Sequence, residues 1–331
     1  MNGLGFAIVT FAPIPFREMG EVAQVAEDMG YERMYTSESL TDTLAVDMWI
    51  ASQTKRITVA SGIAIIYLRH PLIATAAATT ISDISGGRFI LGLGLGHAPR
   101  NEALGVQTGK PSVDLRSYIG QVRDVLEGRP AYPKLPPQSY QGQPLQIRRP
   151  AQPVPIQMAA VGPRMVELAG EIADGLICYL VPISGIPAIR EGVARGAAKA
   201  GRDPAEIEIV LNVHVVVHDD LAVARQKARE ALTYWVGLPG YNKSIHNAGF
   251  EKEADHIRQA FLRGDQLGIQ QGMTDELLDQ FCVLGPASRC KEQLVAIKES
   301  GVHMPIMTPD PIDPSETYRG AIERTLEAIA S

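Results

Sequence analysis

The chain has 331 residues, 45% of them apolar and 21% charged, which suits a globular protein with a substantial core, whether two small domains or one large α/β domain. A net charge of −6 with scattered basic residues argues against an extended nucleic-acid surface, leaving only a local anion pocket open. No run approaches the roughly 20 consecutive apolar residues of a membrane span, so no membrane partner is expected. The opening stretch MNGLGFAIVTFAPIPF has no basic lead-in and meets Pro13 and Pro15 early. It reads as a first strand rather than a signal peptide, with function expected in the cytoplasm.

In chain order, short β-rich runs fall at 4–11, 33–37, 57–66, 88–94, 154–160, 174–181, 207–218 and 303–309, each followed by a segment with helical character. Between the first two, FREMGEVAQVAEDMG sets Met19, Val22, Val25, Ala26 and Met29 on one face, with Gly30 as a stop signal. The Ala-rich PLIATAAATTISDIS over 71–85 suits close packing on a sheet. Alternating strands and helices imply parallel pairing with covering helices, and eight such units match a (β/α)8 TIM barrel. A doubly wound open sheet has the same periodicity and stands as the rival. Excess length sits at 128–153, a Pro- and Gln-rich loop or short hairpin, and at 233–284. The second insertion, the largest, lies between strands 7 and 8 and reads as helical, broken at Leu238-Pro239-Gly240. A single barrel domain over 1–331 with these two insertions is the expected organisation.

Four places offer chemistry. In ISGGRFILGLGLGHAP, a glycine alternation ends at His97, but no spacing makes a dinucleotide fingerprint or a phosphate loop, and Pro99 disfavours a helix opening directly on the turn. Gly92 and Gly94 either allow tight strand packing or close approach of a ligand, while Gly96 and His97 stand at the carboxyl-terminal strand end, where barrel catalysis sits. In PIQMAAVGPRMVELAGEIADG, Gly162 turns into a helix with Pro163 in first position. The free amides there, with Arg164 beside them, can hold a phosphate, although for the motif alone a well-made helix start is the better explanation. Gly62 interrupts the β-branched third strand and signals a bulge. Glu38 ends the second strand, facing a pocket or merely capping a helix. His70 reads as a capping residue. Metal binding reads poorly: His214 and His218 share a strand face without a third ligand in register. Cys178, Cys282 and Cys290 form no C-x-x-C pair and read as buried, inert thiols in a reducing compartment.

Taken together, DISGGRFILGLGLGH, MAAVGPRMVELAGEIADGLI, YNKSIHNAGF and MTDELLDQFCVLGPASRCKEQLVAIKESGVHMPIM resemble, in the right order, stretches of the luciferase-like monooxygenase superfamily, whose members are bacterial-luciferase-type (β/α)8 barrels. SGIAIIYLRHP is similar to the third-strand segment of the branch that uses coenzyme F420, which includes methylene-tetrahydromethanopterin reductases and F420-dependent sugar-phosphate and alcohol dehydrogenases.

The resemblance implies an F420-dependent oxidoreductase transferring a hydride between the deazaflavin and a small organic substrate. The ring would rest on Ser61, Gly62, Ile63 and Ala64, with a bulge made in that branch by a cis peptide, here Gly62–Ile63. Asn101 would stand near the ring, and Ala159, Ala160, Val161, Gly162, Pro163 and Arg164 would hold the phosphate. Two departures stand out. Glu38-Ser39 replaces the Asp-His of many relatives, and His97 stands where some place a glutamate. Glu38 and His97 are therefore the candidate catalytic residues, Glu38 also touching the cofactor. His97 is the expected proton donor, since an unperturbed imidazole titrates near ~6.5. Trp235 and Tyr241, with Tyr234 and Asn242, form an aromatic lid over the substrate or else pack in the helical layer. A homodimer is the family expectation. The alternatives are an FMN-dependent monooxygenase using reduced flavin and oxygen, a non-catalytic flavin- or deazaflavin-binding barrel, and a plain sugar-phosphate barrel enzyme.

Overall fold

The computed structural model describes residues 3–9, 12–129, 132, 139–141, 143–144, 148–313 and 315–331. The first half alternates as β1 (Gly5–Val9), α1 (Phe16–Asp28), β2 (Arg33–Ser37), α2 (Thr43–Gln53), β3 (Thr58–Ile65), α3 (Pro71–Ser85), β4 (Phe89–Gly94), α4 (Ala98–Ala103) and α5 (Pro111–Glu127). A short antiparallel hairpin of β5 (Ser139–Tyr140) and β6 (Gln143–Pro144) follows. The second half runs β7 (Ile156–Ala159), α6 (Pro163–Ile172), β8 (Gly175–Tyr179), α7 (Ile186–Lys199), β9 (Glu208–Val217) and α8 (Leu221–Leu232). It continues with α9 (Pro239–Asn247), α10 (Glu251–Leu262), α11 (Gln266–Gly272), α12 (Asp275–Phe281), β10 (Cys282–Gly285), α13 (Ala287–Glu299), β11 (Met304–Pro309) and α14 (Tyr318–Ala330). Much of the expected 128–153 loop lies outside the described residues, as do 10 and 11 at the end of the expected first strand.

Local chemistry sets the boundaries. Helix α3 begins where the His70 ring accepts the Leu72 amide at 3.2 Å and Pro71 fills the first position, and it ends at Gly86 in the left-handed region. The capping role expected of His70 is thus present. Helix α4 departs from expectation, because Pro99 lies inside its first turn rather than preventing it. A first-turn amide has no intrahelical acceptor, so proline loses nothing there.

Eight strands close a parallel barrel in the order β1, β2, β3, β4, β7, β8, β9, β11 and back to β1. Closure excludes the open doubly wound sheet. Alternate residues divide between two cores, as the two-residue period of a strand requires. Phe6, Ile8 and Met34 face the helices, whereas Ala7, Tyr35, Ala60, Ile90, Ile177, Val210 and Ile306 meet inside. Below them a polar network closes the barrel. Arg33 pairs with Glu208 at 2.6 Å, Gln157 donates to Glu208 at 2.8 Å, and the Tyr35 hydroxyl donates to Gln157 at 3.2 Å. With these side chains filling its floor, the barrel offers a cavity at its carboxyl-terminal mouth.

The 233–284 insertion is helical as expected through α12, but its end forms a ninth strand. β9 outruns β8: residues Glu208–Asn212 pair with β8, and β10 takes the same edge from His214 to Val217. A long strand would otherwise leave unpaired backbone groups at the rim. This added layer has its own apolar cluster, built from Leu232, Val236, Ile257, Leu277 and Phe281. No helix among the described residues is long and apolar enough to cross a membrane.

Candidate active site

A cavity of about 550 Å³ opens at the carboxyl-terminal mouth, lined by residues from the end of every barrel strand or the loop after it. One wall is the β3 bulge predicted at Gly62. Thr36 and Ser37 of β2 are consecutive, yet they pair with Ser61 and Ile63. On the other side, three steps along β4 from Ile90 to Leu93 match four along β3 from Ala60 to Ala64. One extra residue therefore sits in β3, and Gly62 and Ile63 are presented to the cavity.

Glycine is required around this bulge for steric reasons. A Cβ at Gly62 would lie 2.7 Å from the Thr36 carbonyl oxygen, and one at Gly92 only 1.9 Å from that of Ser61. The Ser61 hydroxyl accepts the Gly92 amide at 2.8 Å, locking β4 to the displaced segment. Tight packing thus accounts for Gly92. The peptide bonds of the described residues are all trans, so the cis Gly62–Ile63 implied by the resemblance is absent. Here the extra residue is absorbed by the missing side chains of Gly62 and Gly92.

Glu38 is buried at the foot of the bulge. Its Oε2 accepts the Ile65 amide at 2.5 Å and Arg69 Nη1 at 2.8 Å, while Oε1 accepts Arg69 Nη2. Both carboxylate oxygens are therefore engaged by groups flanking the bulge. Behind them Thr36 donates to Asp47 at 2.6 Å, and burial pushes the Asp47 carboxyl well above its usual range.

The opposite wall is aromatic. His97, which caps α4, lies 5.5 Å from the Trp235 ring and 5.7 Å from the Tyr241 ring, and Tyr179 contacts both aromatics at 5.9 and 5.4 Å. Trp235 and Tyr241 do reach the cavity, whereas Tyr234 is exposed and Asn242 donates to the Ala254 carbonyl at 2.8 Å. Burial, with Arg100 adding repulsion, holds the His97 imidazole below its ordinary value. Desolvation thus disfavours the charged imidazolium that a proton donor would need.

Three groups absent from the predicted set meet on the third wall. The Tyr179 hydroxyl lies 2.7 Å from His214 Nε2, and His214 Nδ1 lies 2.5 Å from Asp310 Oδ2. The sequence had offered only a weak His214–His218 spacing. His218 instead turns to its own loop, its ring accepting the Asp220 amide at 3.0 Å. Among the described residues no cluster suited to a metal ion is present.

Of the expected phosphate segment, Ala159, Ala160, Val161 and Met165 line the cavity, and Gly162, Pro163 and Arg164 are exposed at the α6 N-terminus beside it. Asn101 is buried in α4, where it donates to the Leu95 carbonyl at 2.9 Å while its Oδ1 has no partner. Ser61 and Ala64 are buried in the strand on either side of the half-buried bulge residues Gly62 and Ile63. Cys178, Cys282 and Cys290 are buried, and burial pushes the Cys178 thiol up to about 12.

Fold and cavity define a parallel (β/α)8 barrel with a bulged third strand and a roomy, largely apolar mouth. The luciferase-like monooxygenase profile matches residues 5–304, and the chain belongs to that family. It is 29% identical over 316 residues to a 5,10-methylenetetrahydromethanopterin reductase from Methanolobus tindarius, covering 93% of this chain and 95% of that protein. Its fold is similar to that of a coenzyme F420-dependent tetrahydromethanopterin reductase from Methanopyrus kandleri, with a TM-score of 0.80 at 21% identity and 99% and 97% of the two chains covered. An F420-dependent secondary alcohol dehydrogenase bound to an F420–acetone adduct gives a TM-score of 0.73 at 17% identity, with 99% of each chain covered.

Proposed function

We propose that this protein is an F420-dependent oxidoreductase acting on a small organic substrate. The observation that carries the reading is the β3 bulge, which presents Gly62, with no side chain, and Ile63 to a cavity of about 550 Å³ beside the open N-terminus of α6. A flat ring fits against such a wall, and the similarity to F420-dependent enzymes supports a deazaflavin there. When bound, that cofactor supplies a carbon that carries hydride.

The chain's own residues bind and orient. Gly62 and Ile63 face the ring, with Ser61 and Ala64 buried behind them to hold the bulge, and the segment from Ala159 to Arg164 meets the phosphate through free amides, the helix dipole and the guanidinium. Asn101 steadies the Leu95–Gly96 turn from behind the cavity wall. Glu38 holds Ile65 and Arg69 under the bulge and so positions the wall. His97, Trp235 and Tyr241 enclose the substrate, His97 as a neutral hydrogen-bonding group. Enclosure keeps donor and acceptor in register and excludes water, a large part of the rate in such reactions. The working form is taken to be a cytoplasmic homodimer, which equilibrium sedimentation would weigh directly.

The test compares two deazaflavins, F420 and its phosphate-free riboflavin-level analogue. Both should bind, F420 more tightly, and Arg164→Glu should narrow the difference. Equal affinity for the two, unchanged in the variant, would remove the phosphate site from the account.

A further inference from the structure

Removing a hydride from a carbon that bears a hydroxyl or amino group leaves a positive charge, relieved only when the attached heteroatom loses its proton. The deazaflavin of the proposed function handles the hydride, so the chain itself must handle the proton. Glu38 has both oxygens engaged by Arg69 and the Ile65 amide. His97 is half-buried beside Arg100, and desolvation and that positive charge both disfavour taking up a further proton. Besides the phenols of Tyr35, Tyr241 and Tyr318, the cavity holds Tyr179, His214 and Asp310 on its third wall, and these three are already linked in series.

Strand register builds that series. His214 lies opposite Thr308 in the β9–β11 ladder, and Asp310 follows two residues on. One turn of the pleat below, Thr308 donates to Asn212 at 2.7 Å, so the His214–Asp310 contact repeats an offset already fixed by a second side-chain pair. Tyr179 ends β8, the other neighbour of β9, and its ring lies 5.8 Å from that of His214. Three adjacent barrel strands thus converge at the mouth, and Tyr179, His214 and Asp310 all line the cavity.

Resting on the oxidoreductase reading, we infer that Tyr179, His214 and Asp310 are the proton relay of this site, serving an uncharged substrate with a C–H bond next to an O–H or N–H bond. Asp310 as a carboxylate can only accept, so the imidazole proton lies on Nδ1 and Nε2 is free to accept from the phenol. On oxidation the substrate O–H or N–H bond breaks and its proton goes to the Tyr179 oxygen. The proton of Tyr179 passes in the same step to His214 Nε2, giving an imidazolium held against Asp310. The C–H electron pair departs as hydride to the oxidised deazaflavin, which is reduced, and the C=O or C=N bond forms. Reduction runs the same transfers backward. Burial and the nearby Asp310 charge keep the phenol protonated until it hands its proton on. Among the described residues that line the cavity Arg100 is the single lysine or arginine, so no cluster of cations awaits an anionic substrate, and this supports an uncharged one.

Two measurements decide the matter. In the cofactor-free protein, nitrogen NMR of the imidazoles, assigned with His214→Gln, should show His214 protonated on Nδ1, with that proton's downfield signal lost in Asp310→Ala. An Nε2-protonated His214 overturns the relay whatever the cofactor. In the loaded enzyme, assayed with 2-propanol and with longer uncharged secondary alcohols, Tyr179→Phe should bind F420 within twofold of wild type, which also shows that it folds. Its kcat should fall about 100-fold or more, with loss of the solvent deuterium isotope effect. Unchanged kcat in Tyr179→Phe overturns the relay and leaves the cofactor assignment standing. Failure of the wild type to bind F420 removes the assignment, and the relay with it.

Discussion

Arg69 and Glu38 form the most deeply buried ion pair at the mouth, with side chains 11% and 2% exposed. Truncating the cation leaves a carboxylate in a site with little water, whereas replacing both partners with apolar groups removes that penalty. Arg69→Met should therefore lower unfolding stability by about 3–5 kcal/mol, and Glu38→Leu added to it should recover much of the loss. Urea denaturation of the three proteins measures this. If the single variant matches wild type, Glu38 does not depend on Arg69. His97 gives a second residue-scale expectation. Its folded imidazole holds a proton less readily than the unfolded one, so its contribution to stability is full above ~6.5 and is lost as pH falls through the folded value. Proton NMR should place its midpoint below 6.5, and Arg100→Gln should move it upward. A midpoint above 6.5 contradicts the burial argument. At this scale Gly62, His97, Trp235 and Tyr241 were legible from local pattern and family resemblance. Tyr179 and Asp310 were not, because their meeting at His214 depends on strand register between segments 96 residues apart.

Among elements, β3 and β4 behave as one unit, since the extra residue in β3 is possible only where β4 offers no side chain. Gly92→Ala would set a methyl 1.9 Å from a backbone oxygen, a clash no rotamer relieves. It should cost about 3 kcal/mol of stability, read from the urea midpoint, and weaken ring binding as the bulge is pushed aside. A fully stable variant with wild-type cofactor affinity would mean that the strands can separate freely there. The strands and the main helices were readable because period-two and period-3.6 patterns with glycine and proline stops are local properties. β10 was missed for a reason of the opposite kind. Its four residues are a continuous apolar run with no period of their own, and only the overhang of β9 makes them a strand.

For the whole molecule, closure was the feature that periodicity left open, because a barrel and an open sheet share the same alternation of elements. The ladders between β8 and β9 and between β1 and β11 decide it, and Arg33, Gln157 and Glu208 fill the floor opposite the cavity at the mouth. Cofactor class is likewise a property of the assembled mouth, where the β3 bulge, the α6 N-terminus and the aromatic insertion come from distant parts of the chain. The most direct measurement is a parallel titration of the cofactor-free protein with F420 and with FMN, followed by fluorescence. The account predicts saturable binding of F420 at one equivalent per chain and weak or no binding of FMN. Tight FMN binding with none for F420 would contradict it.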